Sequence, residues 1–378
     1  MKRKIIVTGG AGFIGSNLIR LILQETEHEV LNLDKLTYAG NVSSPTELDS
    51  DSRYEFEQLD IVDGRALSAA FERFQPDCII HLAAESHVDR SISGPGDFVR
   101  TNIVGTYELL QSARSFWSRL DCSKQAFFRF LHISTDEVFG SLSHGDGKFS
   151  ESSPYQPNSP YSASKASADH LVRAWNVTYG LPTLAVNCSN NYGPFQHTEK
   201  LIPTVISNAF KGLPIPVYGN GENIRDWIFV RDHAKAIVSV LSCGTVGETY
   251  NVGGNNELSN IELVRSLCAI LDKQLPIADN LELTDAQRAN LNSYADLIEF
   301  VGDRPGHDFR YAVDSTKICN DLEWSPTVSL QTGLEQTVHW YLENRDRWIV
   351  SGYRKTDPPI IGKPVAEQFA RQDNSASP

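Results

Sequence analysis

Two short runs in this chain carry residues whose types and spacing can do chemistry. The first is Ser134-Thr135-Asp136-Glu137-Val138-Phe139-Gly140, and the second is Tyr161-Ser162-Ala163-Ser164-Lys165. Tyr161 and Lys165 are four residues apart, so on a helix they share one face. A phenol ordinarily keeps its proton to about pH 10, and a neighbouring ammonium favours the phenolate, which moves the group toward use as a base. Asp136 and Glu137 add two adjacent carboxyls. Close carboxyls resist double ionisation, so one keeps a proton longer, and acid and base roles separate. Either pair alone would be ordinary solvated surface. The elements around them decide.

Those elements read as strands alternating with helices. An apolar strand over 128–133 delivers the first run at its C-terminal end, where α/β sheets bind their ligands. The second run opens a helix. Adjacent residues of an extended strand point to opposite faces, so Asp136 and Glu137 can serve one substrate only if the strand has ended before them. At the N-terminus a buried strand over 4–8 runs into Gly9-Gly10-Ala11-Gly12-Phe13-Ile14-Gly15 and then an amphipathic stretch, 16–27. Strand, glycine turn and helix in that order form a dinucleotide-binding opening. Gly9 permits the tight turn, Gly12 lets the backbone approach a pyrophosphate, and Gly15 allows close helix–strand packing. The helix N-terminus offers amides and a positive dipole to the phosphates. A second strand, 29–33, ends at Asp34, at the distance expected for a carboxylate gripping an adenosine ribose. An acid there favours NAD over NADP, and Lys35 beside it softens that preference.

Further strands are expected at 54–59, ending in Asp60-Ile61 as an adenine neighbour, at 77–83, ending in Ala83-Ala84-Glu85-Ser86, and at 183–187. Helices are expected at 63–74 and at 97–117, the latter carrying Thr101 and Asn102. The alternation predicts an α/β fold with a doubly wound parallel sheet of Rossmann type. Beyond 187 the rhythm breaks into polar loops at 189–194, 219–226 and 302–307, with helices at 200–211 and 329–350. This predicts a smaller, mostly C-terminal α/β substrate lobe. The expected division is a nucleotide-binding domain over 1–188, rejoined by about 227–253, a lobe over 189–350, and a poorly ordered polar tail over 351–378.

At 378 residues the chain can bury a large core and hold two lobes. Its formal net charge of −13 argues against nucleic acid or an anionic membrane as partner, so an anionic substrate would need particular cations. No apolar run reaches membrane-spanning length, and the first residues enter a strand, so neither a membrane anchor nor a cleaved signal is expected. Six scattered cysteines without a Cys-x-x-Cys pair read as reduced thiols in a cytoplasm. The histidines show no metal-ligand spacing, and no metal is expected.

With these motifs in view, the chain resembles the extended short-chain dehydrogenase/reductases. Gly-x-x-Gly-x-x-Gly and Tyr-x-x-x-Lys carry that likeness. Within the family, 134–140 is most similar to the nucleotide-sugar 4,6-dehydratases that act on dTDP-glucose. Ala83-Ala84-Glu85-Ser86-His87-Val88-Asp89, Glu199-Lys200-Leu201-Ile202-Pro203 and Asp303-Arg304-Pro305-Gly306-His307-Asp308 support it, and the likeness runs from Gly9 to about Tyr311. It implies conversion of dTDP-glucose to its 4-keto-6-deoxy form and water, by C4 oxidation, loss of water across C5 and C6, and hydride return to C6 on one NAD.

On that resemblance Tyr161, supported by Lys165, takes the 4-hydroxyl proton while Thr135 holds the hydroxyl. Glu137 takes the C5 proton, and Asp136 protonates the departing 6-hydroxyl. The implied cofactor contacts are Gly9, Gly12, Phe13, Ile14, Gly15, Asp34, Lys35, Asp60, Ile61, Leu82, Ala83, Ala84, Ser86, Thr101, Tyr161, Lys165 and Asn191. The implied nucleotide-sugar contacts are Ser86, Thr135, Asn190, Glu199, Lys200, Leu201, Pro216, Tyr218, Arg225, Asn260, Arg304 and His307. Guanidinium forks suit phosphate oxygens bidentately. A homodimer through the 97–117 and 160–179 helices is implied as well. Three rivals stand beside this reading, one of them a nucleotide-sugar decarboxylase, which acts on a uronate. A nucleotide-sugar 4-epimerase shares the fold, NAD, Tyr161 and Lys165 but has no use for the carboxyl pair, and a non-catalytic NAD-binding protein has no use for any of the five.

Overall fold

The computed structural model describes residues 2–37, 48 and 50–349; the expected tail, 351–378, lies outside them. The chain groups into two compact units, one of 1–197, 225–257 and 308–337, the other of 198–224, 258–307 and 338–378.

The first unit is built on seven parallel strands in the order β10-β6-β5-β4-β1-β2-β3. They are β1 (Lys4–Thr8), β2 (Glu29–Asp34), β3 (Tyr54–Gln58), β4 (Cys78–His81), β5 (Arg129–Thr135), β6 (Thr183–Cys188) and β10 (Thr249–Val252). Both faces are covered, which is why the strands read as apolar runs without polar alternation. Ile5 and Val7 of β1 pack with Leu18, Ile22, Ile237 and Leu241 from the Phe13–Glu25 and Val230–Cys243 helices. Ile6 packs on the opposite side with Leu67, Phe71, Leu109, Leu110 and Trp175 from the Gly64–Phe74, Thr106–Trp117 and Pro160–Tyr179 helices. The fold is therefore the doubly wound α/β sheet that the alternation predicted.

Several boundaries differ from expectation, each for a local reason. The first helix begins at Phe13, three residues early, because Gly12 already stands in the extended N-cap conformation. Asp63 caps the helix at 64 through bonds from Arg65 and Ala66 rather than entering it. The strand expected at 77–83 ends at His81, and the segment after it runs as a loop close under Gly9. The expected 97–117 helix is not continuous. A short helix, Pro95–Phe98, leads into a π-helical turn, Val99–Gly105, before Thr106–Trp117. Asn102 in that turn exchanges two hydrogen bonds with the Glu85 backbone and donates a third to Ser164 Oγ at 2.8 Å. Such wide turns concentrate at functional sites. The expected loop at 189–194 contains a three-residue strand, β7 (Asn190–Tyr192), paired in parallel with β9 (Ile224–Phe229). A strand that short leaves no periodic trace.

In the second unit β8 (Ile215–Tyr218) pairs in parallel with β12 (Ile298–Val301). The Leu201–Lys211 and Asn260–Gln274 helices pack against each other, the latter opened by a reciprocal Ser259/Glu262 cap.

Candidate active site

The glycine turn forms a cradle that backbone alone can line. Gly9 has φ +72°, and a Cβ there would come within 2.7 Å of the Ala83 nitrogen. A Cβ at Gly15 would come within 2.3 Å of the Gly9 carbonyl, so helix and strand meet as closely as the motif requires. No side chain caps the helix that follows, and no acid sits in its first turn, so its amides and dipole face a negative group unopposed. Asp34 at the end of β2 accepts the Ala11 amide at 3.0 Å and the Leu36 amide at 2.8 Å, while burial raises its pKa. Lys35 is drawn aside, donating to Thr101 Oγ1 at 3.1 Å and pairing with Glu85 at 3.4 Å. Leu82 and Ala83 are bonded to Thr8, Ile61 packs beneath Gly105, and Asn191 meets His233 at 2.8 Å. These positions fit a dinucleotide: turn, uncapped helix and the Asp34 carboxylate stand together.

The second cluster lies at the end of β5. Thr135 closes the strand, and the chain turns at once into a 3-10 helix, Asp136–Phe139, capped by the Thr135 hydroxyl accepting the Glu137 amide at 3.3 Å. The strand has thus ended where consecutive carboxyls need it to. Tyr161 and Lys165 enter from the first two turns of the Pro160–Tyr179 helix, whose Ser159/Ser162 cap fixes its start. Thr135 is within hydrogen-bonding reach of the Tyr161 hydroxyl, and the charges of Glu137 and Asp136 both act on Tyr161. The five candidate catalytic residues therefore form one cluster.

Their environments separate the two carboxyls. Burial, then the charges of Glu137 and Asp226, hold Asp136 well above the usual carboxylate range, which favours its protonated form. Its Oδ2 has no hydrogen-bond partner among the described residues, although the side chain is almost fully buried. A protonated carboxyl with an unmet oxygen is set up to donate to a substrate. Tyr161 departs from expectation. Burial and then Glu137 push its pKa up, and Lys165 does not bring it down, because its ammonium donates to the Ile133 carbonyl at 2.8 Å and its own pKa is lowered by burial. Desolvation outweighs the expected lysine effect, so the tyrosine rests as a phenol.

A family model described as GDP-mannose 4,6 dehydratase matches residues 6–337. The chain belongs to that family. The dTDP-glucose 4,6-dehydratase of Neisseria meningitidis is 56% identical over 346 residues, covering 92% of this chain and 95% of the relative. The crystal structure of the dTDP-glucose 4,6-dehydratase DesIV from Streptomyces venezuelae, with NAD bound, is 42% identical with a TM-score of 0.80 over 92% of this chain and all of that one. The UDP-glucuronic acid 4-epimerase of Bacillus cereus, also with NAD, reaches a TM-score of 0.75 at 28% identity, over 90% of this chain and 99% of that one. Dehydratases and epimerases share this backbone, so side chains must decide between them.

In this member of the dehydratase family the expected substrate contacts divide between the units. Ser86 follows β4, and Asn190 and Arg225 lie on β7 and β9 of the first. Arg225 is not in a polar loop as expected. It is buried, donates to the Asp308 and Phe309 carbonyls at 2.9 and 3.2 Å, lies 4.3 Å from the Tyr311 ring centre, and lowers the Asp136 pKa. In the second unit His307 meets Asp303 at 2.6 Å and stands edge-on to Tyr218 at 6.1 Å, with Pro216 on the same strand and Arg304 on the same loop. Asn260 begins its helix, its amide on the Asn223 carbonyl, while Lys200 stands at the N-cap position of the Leu201–Lys211 helix and Glu199 precedes it. Sequence reasoning missed Asp226, Cys188 and Asp169, which act electrostatically on the cluster, and Tyr311, on which Glu137 acts. Of these only Asp169 carried a signal, its four-residue spacing from Lys165.

Proposed function

We propose that this chain is a dTDP-glucose 4,6-dehydratase, a hydro-lyase working through an internal redox cycle on NAD. The observation that carries it is Asp136 and Glu137 standing together on one 3-10 turn beside Tyr161, with Asp136 pushed toward its protonated form by burial. A 4-epimerase needs no such pair. The glycine turn, the Phe13–Glu25 helix N-terminus and Asp34 would hold NAD, which would supply a hydride acceptor at sugar C4 and a hydride donor at C6.

The chain's own groups supply the rest. Thr135 holds the 4-hydroxyl, and Tyr161, once it has lost its own phenol proton, accepts the hydroxyl proton as the phenolate. The resulting ketone acidifies the C5 hydrogen, which Glu137 removes as general base. Asp136 gives its proton to the departing 6-hydroxyl, which leaves as water. That the two carboxyls differ in environment supports their opposite roles.

Incubation with dTDP-glucose and no added reductant tests this. The expected product has lost one water and absorbs newly in alkali, and its absence overturns the assignment. Glu137→Gln should keep NAD and stall before water loss, so that reduced cofactor accumulates; full turnover by that variant removes Glu137 as base.

The homodimer belongs to the same reading. Val99, Val104, Tyr107, Val177 and Tyr179 are exposed on the 99–117 and 160–179 segments, which supports pairing there. Sedimentation at a single-chain mass would overturn it. A cytoplasmic setting is in keeping with six free cysteines and with no described helix long and apolar enough to cross a membrane.

A further inference from the structure

Asp169 lies on the Pro160–Tyr179 helix four residues beyond Lys165 and eight beyond Tyr161, so the three share a face. Its side chain is only 6% exposed. The carboxylate gathers three partners from outside that helix: Ser134 Oγ at 2.8 Å and Tyr155 OH at 3.0 Å, both donating to Oδ2, and His132 Nε2 at 3.0 Å from Oδ1. Asn187 Nδ2 donates to the Tyr155 oxygen at 3.1 Å, which leaves that phenol's proton for Asp169. His132 Nδ1 has no partner among the described residues, which places the ring proton on Nε2 and makes the imidazole a neutral donor. A carboxylate accepting three donors favours its ionised form. A buried charge also needs a charge of opposite sign.

Lys165, one turn back on the same helix, supplies that charge through space and not as a direct ion pair. It is buried, and its one hydrogen bond among the described residues goes to the Ile133 carbonyl at 2.8 Å. A backbone carbonyl orients an ammonium without neutralising it. We propose that Asp169 is a positioning residue for the oxidation step: locked by Ser134, Tyr155 and His132, it keeps Lys165 an ammonium, held in place beside Tyr161. The proposal rests on Tyr161 being the base of that step.

The other groups facing the pair leave Asp169 as the charge that matters. His81 on β4 and His132 on β5 are kept neutral by burial. Cys188 on β6 has its thiol pushed up to about 12, again by burial. His170 on the same helix favours the ionised Asp169. Asp136 and Glu137 act on Tyr161 rather than on Lys165. Burial lowers the Lys165 pKa and Asp169 opposes that, while Asp169 itself is raised to about 6.

Asp169→Asn keeps the shape and removes the charge. The Lys165 13Cε resonance, identified by its loss in Lys165→Ala, is expected to titrate about one pH unit lower in the variant. Turnover of dTDP-glucose should fall roughly tenfold in kcat with KM little changed, and the alkaline limb of kcat should move down with the lysine. Tyr155→Phe removes one donor and keeps the charge. Its acid limb should move up, because Asp169 then gains a proton more readily. An Asp169→Asn protein whose Lys165 titrates as before overturns the proposal whatever its melting temperature, and so does a Tyr155→Phe protein with an unmoved acid limb. An unaltered chain that fails to turn over dTDP-glucose, or turnover that survives Tyr161→Phe, overturns this proposal together with the function it rests on.

Discussion

At Gly9 one added carbon would come within 2.7 Å of the Ala83 nitrogen, and φ is +72°; the position is defined by what it lacks. At Asp136 nothing in the backbone marks the residue. Its acidity is set by burial and by Glu137, Asp226 and Arg225, the last two about ninety positions along the chain. The glycine turn is a site made of backbone and written in consecutive letters. The carboxyl–phenol cluster is a site made of side chains whose properties are lent by distant neighbours. The difference shows in how expectation fared: the turn has the form its motif predicts, whereas Tyr161 is pushed up in pKa where Lys165 alone would bring it down.

The sharpest way to break this contrast is at Tyr161. Tyr161→Phe removes one oxygen from the side-chain site and leaves the backbone site untouched. It should lower kcat by about a thousandfold while NAD stays bound. A variant that also loses NAD would show that the two sites are not separable. The reverse test is Gly9→Ala, which strains the turn by about 1–3 kcal/mol and closes the approach to the cradle. NAD retained after gel filtration should drop by roughly tenfold or more, and the carboxyl–phenol cluster should be unaltered once NAD is supplied in excess.

How much was legible follows the same line. The sheet could be read because buried parallel strands are apolar runs, and the glycine motif because each glycine answers a steric demand. The turn after Thr135 could be posed only as a condition, since a 3-10 start has no periodicity to detect. Asn102 was visible as a residue but not as the link between the Glu85 loop and Ser164, because that role depends on a π-helical turn. Asp226 and Tyr311 reach the cluster from β9 and from the segment after 307, which sequence rhythm placed with the substrate lobe and contacts group with the sheet. Sequence distance hides electrostatics more thoroughly than it hides secondary structure.

Asp226 allows that claim to be tested at modest amplitude. Asp226 accepts the Gly254 amide at 2.8 Å and the Asn256 amide at 2.6 Å, and its charge helps hold the proton on Asp136. Asp226→Asn keeps most of the shape and removes the charge. Asp136 should then lose its proton at a lower pH, so the alkaline limb of water loss moves down. Rates on the acid side of that limb should stay near those of the unaltered chain while rates on its alkaline side fall severalfold. A limb that does not move would make Asp136 a product of burial alone.

The smallest effect is expected at His233, whose Nδ1 lies 2.8 Å from Asn191 Oδ1. Burial lowers its pKa from 6.5 to about 3, so the folded chain refuses a proton that the unfolded chain accepts. A group depressed on folding stabilises above its unfolded pKa and loses that contribution as pH falls. Stability should therefore decline as pH drops below 6.5, by at most about 1.4 kcal/mol per unit from this residue. In His233→Asn the melting temperature should fall less between pH 7 and pH 5 than in the unaltered chain, whatever its value at pH 7. Equal slopes would mean that the acid sensitivity of this unit arises elsewhere, and that His233 acts on Asn191 by shape and not by charge.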